Sequence, residues 1–505
     1  MRSKNVIYNV VTNLLLQLVV IIYGFVVPKI IISNYGSNVN GLISSITQFL
    51  AYIVLLDSGF TAVVKSQLYK PIAENNYDKI NAILKSTDIF FKRIAYIFIA
   101  YVVVLSFIYP LLNNSFDYWF TSLLIITLSI SLFSEYYFGM VYKIYLESEQ
   151  KYYIISIIQI FIYLLVIIST IIISKFSVSI IILKLFSCSF FIIRPIILYL
   201  YVKKKYAINL KKSHEKYHIK NKWDGLAQHI ASVIHSATDI TVLTVFASLI
   251  EVSVYSVYAL ITSGIRKIIQ SFISGIDASF GDMLAKDESD NLNKKFTAYE
   301  VLYNTISTII YSCTLVLIIP FVTIYTKNFT DANYIRNTFA CLIVISEYIW
   351  SLRQPYNELI KAAGRFKETK KSAWIECITN IIISIVLVIK YGLIGVAIGT
   401  IVSIAIRTFD LIYQANKYIL KRSIWSTFKK LIILIIETII IIYISKLTFV
   451  SNQIDYLSWI QSAIIVFCVA CVITIIFNYM FFKKEYAQII DLIKNVIRRR
   501  NAKKN

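Results

Sequence analysis

The stretch YIISIIQIFIYLLVIISTIIISKFSVSIIILKLFSCSFFIIRPIILYLYVKKK, residues 153–205, holds two apolar runs, 153–174 and 178–202. Each is long enough to cross a hydrocarbon core of about 30 Å as a helix. The link between them carries one charge, Lys175, and the second run ends on Lys203, Lys204 and Lys205. Because membrane proteins keep their lysines and arginines on the cytoplasmic side, the pair reads as a helical hairpin whose link faces outward.

Extended in both directions, this alternation gives about fourteen such runs. They lie near 6–33, 40–64, 86–109, 118–142, 153–174, 178–202, 224–249, 253–279, 298–325, 334–356, 372–389, 392–416, 428–448 and 457–482. Connectors on one side hold only Lys175, Lys327, Lys390 and Lys446. Those on the other side hold Lys65, Lys70, Lys79, Lys370, Lys371, Lys421, Arg422 and many more. Both termini are therefore expected in the cytoplasm. A hydrophobic share of 58% and a mean hydropathy of +0.69 agree with an all-α integral membrane protein. The net charge of +23 sits in juxtamembrane loops and in the tail, at Arg498, Arg499, Arg500, Lys503 and Lys504. There it sets topology and meets anionic headgroups, and nucleic acid is not the expected partner. The opening run is too long for a signal peptide and lacks a cleavage site, so a retained first helix is expected. Cys188, Cys313, Cys341, Cys377, Cys468 and Cys471 all fall within the runs and read as small packing residues.

The longest hydrophilic connector, 203–222, splits the runs into six before and eight after. Weak repetition crosses it. Ser58-Gly59 ahead of Leu68 recurs as Ser274-Gly275 ahead of Leu284, the loop 143–151 corresponds to 361–370, and Arg194 late in span six corresponds to Arg407 late in span twelve. The expected organisation is a six-helix lobe at 1–202, a basic cytoplasmic connector at 203–222, and a second six-helix lobe at 223–420. Two further helices at 421–482 and a basic tail at 483–505 complete it. An even number of spans per repeat relates the lobes by an axis along the membrane normal, an arrangement used by secondary transporters whose halves rock around a central site.

Polar residues at helical spacing mark the face that a span turns away from lipid. Such stripes occur on span one (Asn5, Asn9, Asn13, Gln17), span two (Ser44, Gln48, Tyr52), span seven (Gln228, Ser232, His235, Asp239) and span eight (Thr262, Arg266, Gln270, Ser274, Asp277). These are equivalent helices of the two repeats. Arg266 and Lys267, halfway along span eight, are the sharpest signal, since a cation at the centre of a spanning helix costs roughly 2.5–3.5 kcal/mol on an insertion scale. Two readings follow. Either a phosphate-bearing substrate meets the guanidinium fork, or Arg266 forms an internal ion pair with Asp239 or Glu347. Gln270 joins this substrate-facing set, and Gln48, Tyr52, Tyr255 and Tyr258 suit sugar hydroxyls and ring faces. Arg194 and Arg407 lie in the inner third and reach either a cavity or the headgroups.

His235 and Asp239, one turn apart, read as a proton or cation relay or else as a packing pair. Glu347, Asp57 and Glu437 are further intramembrane acids able to serve a coupling ion. Gly24 and Pro28, near the outer part of span one, are expected to bend or break that helix and so to act in gating.

Several of these residues also carry a family resemblance. Lys4-Asn5 and Tyr8-Asn9 open the chain, Ser58-Gly59 leads to Leu68-Tyr69-Lys70-Pro71-Ile72-Ala73, and Thr238-Asp239-Ile240 precedes Val254-Tyr255-Ser256. With the run 356–367, from Tyr356-Asn357-Glu358 through Gly364 to Lys367, these segments resemble the Wzx-type polysaccharide flippases. That family belongs to the multidrug/oligosaccharidyl-lipid/polysaccharide exporter superfamily, and the resemblance covers essentially the whole chain. It implies two MATE-like lobes in the bacterial cytoplasmic membrane. It further implies a carrier that moves an undecaprenyl-pyrophosphate-linked oligosaccharide repeat unit to the outer leaflet by alternating access, for capsule, O-antigen or a related polymer. H+ or Na+ is the implied coupling ion, with no cofactor, a monomeric carrier, and a polysaccharide polymerase as a partner. Related lipid-precursor flippases carry cations on spans one, two and eight; Arg266 matches on span eight, whereas spans one and two offer Lys29 and Asp57.

A small-molecule exporter of the same fold would favour an acidic or apolar cavity over one holding Arg266 and Lys267. A polysaccharide polymerase or other membrane enzyme would present large external loops, yet the outward connectors are short, and the longest, near 451–455, offers no acid/base constellation. The sequence holds no glycine-rich phosphate loop, metal-ligand cluster or nucleophile triad. A transporter is the expected class.

Overall fold

A computed structural model of the chain describes residues 2–57, 59–206, 208–210, 226–272, 276–448 and 455–488. Expectations for Ser58, Ser274-Gly275, the connector beyond 210, the loop 451–454 and the basic tail fall outside the described residues, as do the side chains of Gln228 and Asp277. Among the described residues all regular structure is helical, as the apolar runs predict.

Two compact units are formed, Met1–Ser256 and Val257–Asn505. The first contains α1 (Arg2–Tyr35), α2 (Ser37–Ala51), α3 (Val54–Asp57), α4 (Phe60–Ala73), α5 (Tyr77–Leu112), α6 (Tyr118–Ser134), α7 (Met140–Ser148), α8 (Tyr152–Ile173), α9 (Ile180–Lys205), α10 (Leu226–Phe246) and the start of α11 (Leu249–Ser271). The second continues α11 and adds α12 (Ile276–Ala285), α13 (Ser289–Tyr325), α14 (Asn337–Leu352), α15 (Gln354–Ala362), α16 (Phe366–Tyr391), α17 (Leu393–Gln414), α18 (Ile424–Leu447) and α19 (Tyr456–Phe481). A π turn, Glu135–Gly139, joins α6 to α7, and another, Ala415–Ile419, follows α17.

Among the described residues, eleven helical stretches are long and apolar enough to cross a membrane. The other expected spans are shorter or more polar. The described apolar part of α10 is Ile230–Phe246, α14 has 16 residues, and α18 carries Lys429, Lys430, Glu437 and Lys446. Ile7, Leu14 and Leu18 on α1 are exposed, as a helix facing lipid requires.

Polar residues in the sequence set many helix ends. The Asn76 side chain accepts the Lys79 N–H at the start of α5, and Asp117 accepts the N–H groups of Trp119 and Phe120 at the start of α6. Asp455 and Ser458 form a capping box on α19, and the Ser458 hydroxyl and N–H hold the Asp455 carboxyl below the usual carboxylate range.

Two expectations need correction. Span two is not one helix: α2 ends at Ala51, α3 is a single turn, and Gly59 takes φ 81° ahead of α4, a left-handed conformation that favours glycine. Nor does Pro28 break span one, since α1 runs without interruption from Arg2 to Tyr35 with Pro28 inside it.

The division between units falls within α11, beyond the 203–222 connector where the sequence suggests it. Contacts from α10 and the start of α11 to α2 accompany this placement. Thr244 Oγ1 bonds Ser45 Oγ at 2.7 Å, Tyr52 Oη and Thr241 Oγ1 are 2.8 Å apart, and Asn40 Nδ2 donates to Ser253 Oγ at 2.8 Å. Gly41 permits this approach: a Cβ there would lie 1.8 Å from the Leu249 carbonyl oxygen. Gly41→Ala is therefore expected to cost about 1–3 kcal/mol through overpacking. Thermal unfolding of the purified protein checks this, and an unchanged midpoint would contradict the close contact.

Candidate functional site

Arg266 on α11 and Glu347 on α14 form a two-pronged ion pair in the second unit. Nε donates to Oε2 at 2.7 Å and Nη2 donates to Oε1 at 2.5 Å. Trp350 stands three residues beyond Glu347 and so shares its helix face; its ring centre lies 4.5 Å from the guanidinium carbon. Of the two sequence readings for Arg266, the structure takes the internal pair, with Glu347 as partner. The pair is not sealed, because the Arg266 side chain keeps 33% of its exposure and Glu347 keeps 12%. Tyr311 of α13, fully buried, lies within electrostatic reach of both. An anion with two suitably spaced oxygens would compete with Glu347 for the same fork. Lys267 and Gln270 on the same helix are exposed.

In the first unit, Asp239 Oδ2 accepts from the Tyr255 hydroxyl at 2.8 Å, and His235 and Gln48 are half-buried. Asp57 accepts from Thr61 Oγ1 at 3.0 Å and lies within electrostatic reach of Lys143 and Lys65. Gly24 and Pro28 are half-buried on α1. Tyr258, expected among the sugar-facing residues, is instead fully buried in the second unit. Its hydroxyl donates to the Tyr334 carbonyl at 2.8 Å and accepts the Arg336 N–H at 3.1 Å. It is a packing residue.

Arg194 and Arg407 are each buried in an ion cluster of their own unit, at 7% and 8% exposure. Arg194 Nη2 donates to Glu135 Oε1 at 2.5 Å, and Lys143 Nζ reaches the same oxygen at 3.3 Å. Glu135 opens the π turn after α6. Arg407 Nη1 donates to Glu376 Oε2 at 2.7 Å, while Arg353 Nη1 donates to Glu376 Oε1 at 2.6 Å. A third cluster joins Glu300 to Arg422 at 3.1 Å and to Lys430 at 2.8 Å, with the Tyr356 hydroxyl also bonded to Glu300. In each cluster one carboxylate holds two cations. Arg194 and Arg407, read from sequence as reaching either a cavity or the headgroups, are each paired with a carboxylate inside their own unit.

Sequence reasoning missed Glu135, Glu300, Glu376 and Arg353. The available signal was an acid in or beside an apolar run, the same signal that singled out Glu347. It also passed over Lys184, which shares the run 178–202 with Arg194. The Lys184 side chain is buried on α9, one turn from Cys188, whose thiol hydrogen-bonds Ser131. Among the described residues no group of three or more His, Cys, Asp or Glu is placed to hold a metal ion.

No protein-family model matches the chain, and no curated protein sequence matches it. Solved structures do match. The lipid II flippase MurJ in an inward closed conformation aligns with a TM-score of 0.71 at 15% identity, covering 95% of this chain and 99% of that one. An inward-facing multidrug resistance MATE family transporter of the MOP superfamily aligns with a TM-score of 0.60 at 11% identity, covering 81% of this chain and 98% of that one. The chain shares the fold of these solved structures. A MATE protein in a bent conformation is similar at a TM-score of 0.54 and 10% identity, over 82% of this chain and 96% of that one. At these identities the likeness is one of architecture, and it agrees with the helical membrane fold expected from the apolar runs.

Proposed function

We propose that this protein is a flippase that carries an undecaprenyl-pyrophosphate-linked oligosaccharide repeat unit from the cytoplasmic to the outer leaflet of a bacterial cytoplasmic membrane. The reading is supported above all by one observation: the likeness to a lipid II flippase extends over 95% of the chain, against 81% for the MATE transporter. The charge placement of the connectors supports cytoplasmic termini.

Arg266 supplies the chemistry. A pyrophosphate presents paired oxygens that fit the planar guanidinium fork, and the Trp350 ring beside it helps orient that fork. When the headgroup takes the fork, Glu347 loses its partner and needs a cation in its place, H+ or Na+. Headgroup binding and ion binding are thereby linked through one carboxylate. Lys267 and Gln270 add polar contacts on the same helix. In the first unit Gln48 and Tyr52 remain candidate sugar contacts, and Asp239, His235 and Asp57 remain candidate ion-coupling groups. Asp239→Asn is expected to weaken the dependence of transport on an imposed ion gradient; an unchanged dependence would remove Asp239 from coupling.

Native mass spectrometry of the purified protein with a lipid-pyrophosphate-linked oligosaccharide tests the substrate class. Retention of that lipid over its pyrophosphate-free analogue is expected. Retention of small organic cations instead would favour an exporter of MATE type, the reading that the 0.60 TM-score match also suits.

A further inference from the structure

Glu437 on α18 differs from every acidic cluster described above. It is 1% exposed. Its Oε1 accepts from Thr474 Oγ1 of α19 at 2.6 Å, while Oε2 is buried with no hydrogen-bond partner among the described residues. Glu300 and Glu376 each hold two cations, yet no lysine, arginine or histidine forms an ion pair with Glu437 among the described residues. An isolated carboxylate in such a setting is strongly disfavoured. A single proton would remove the charge and give Oε2 a donor.

The surroundings suit proton exchange. From α14, Tyr348 lies within electrostatic reach of Glu437, and its hydroxyl bonds Thr438 of α18 and Thr308 of α13, the latter at 2.6 Å. Along α13 the hydroxyl row continues through Ser307, 2.8 Å from Ser351 Oγ, and Ser351 donates to Tyr303 at 3.4 Å. Asn304 Oδ1, Tyr311 Oη and Ser312 Oγ on that helix are buried polar atoms with no hydrogen-bond partner among the described residues, the kind of group that ordered water satisfies. The remaining titratable groups nearby are Tyr311 and Cys313 on α13, Cys471 on α19 and Glu347 on α14. Glu347 is already held by Arg266, and Lys430, two turns away on α18, is held by Glu300. An apolar wall of Ile441, Ala470 and Ile473 borders the site.

We propose that Glu437 is a proton-binding site within the second unit. On loading, one proton binds the carboxylate, which becomes a neutral carboxylic acid; on unloading, the same proton leaves and the carboxylate is restored. The site is separate from Arg266 and does not depend on what the protein carries.

Infrared difference spectroscopy of the reconstituted full-length protein across a pH series reads this group directly. Wild type should show a carboxylic-acid carbonyl band that falls as pH rises and shifts in heavy water. Glu437→Gln should lose that band, and Glu437→Asp should keep one at a displaced frequency. The carboxamide of Glu437→Gln can still accept from Thr474, and size-exclusion chromatography confirms that both variants are folded. Proton uptake should be lower by one per molecule in Glu437→Gln over the same pH range. A wild-type spectrum in which no acid band is lost on substitution would overturn the proposal. So would a band that follows Na+ concentration and ignores pH, since that behaviour marks a metal-cation site.

Discussion

Arg266→Ala should abolish transport of a lipid-linked oligosaccharide while leaving the protein inserted and folded. Each charge-assisted bond of the guanidinium fork to a phosphate is worth about 1.5–3 kcal/mol, so loss of both reduces headgroup affinity by roughly a hundredfold or more. The single substitution also strands Glu347, whose two oxygens both accept from Arg266 in the ion pair. A double variant, Arg266→Met with Glu347→Leu, separates the effects. Replacing both partners of an ion pair with apolar residues of similar volume tends to preserve stability. If the pair serves only to pack α11 against α14, the double variant transports normally. If the fork grips the headgroup, stability returns and transport does not.

Glu376→Gln should be the most destabilising conservative change in the second unit. The carboxylate is 1% exposed and accepts from Arg353 and Arg407, themselves at 6% and 8%. Neutralising it leaves two buried cations with no counter-charge, a loss of about 3–5 kcal/mol on the scale of broken buried pairs. That is a large part of an ordinary domain's stability of about 5–15 kcal/mol. Thermal unfolding in detergent should show a midpoint well below wild type, or no folded material at all. Glu135→Gln in the first unit should act in the same direction and more weakly, since Glu135 keeps 23% side-chain exposure. Equal stability of Glu376→Gln and wild type would contradict the buried cluster.

The helical membrane architecture was legible because its signals are local. A run of apolar residues in the range 153–174, ended by a charge at Lys175, specifies a helix and its end with little help from elsewhere. The Arg266 alternatives were legible for a related reason: a cation in mid-span needs a partner, and Glu347 was one of two acids considered. The inner-third arginines were placed at equivalent depth, but their partners were not found. Glu135 lies 59 residues from Arg194 in sequence, and Glu376 lies 31 from Arg407. Such pairings arise from helix packing, which no periodicity within one span records.

Span two shows a different limit. A run of apolar residues over 40–64 masked a break at Tyr52 and again before Phe60, where Gly59 at φ 81° was the only local sign. Tyr258 was misplaced because an aromatic on a polar stripe reads the same from sequence whether it meets a sugar or, as here, the Tyr334 carbonyl. The attachment of α10 to α2 depends on hydroxyl contacts such as Thr244 to Ser45, which the long basic connector between them conceals.

The most direct measurement is made in proteoliposomes holding a lipid-pyrophosphate-linked oligosaccharide in one leaflet, scoring arrival of the sugar at the other with and without an imposed H+ or Na+ gradient. A flippase of the proposed kind gives exposure that requires the protein, accelerates with one of the gradients and is lost in Arg266→Ala. No exposure with several matched lipids, together with efflux of small organic cations from the same vesicles, would contradict it.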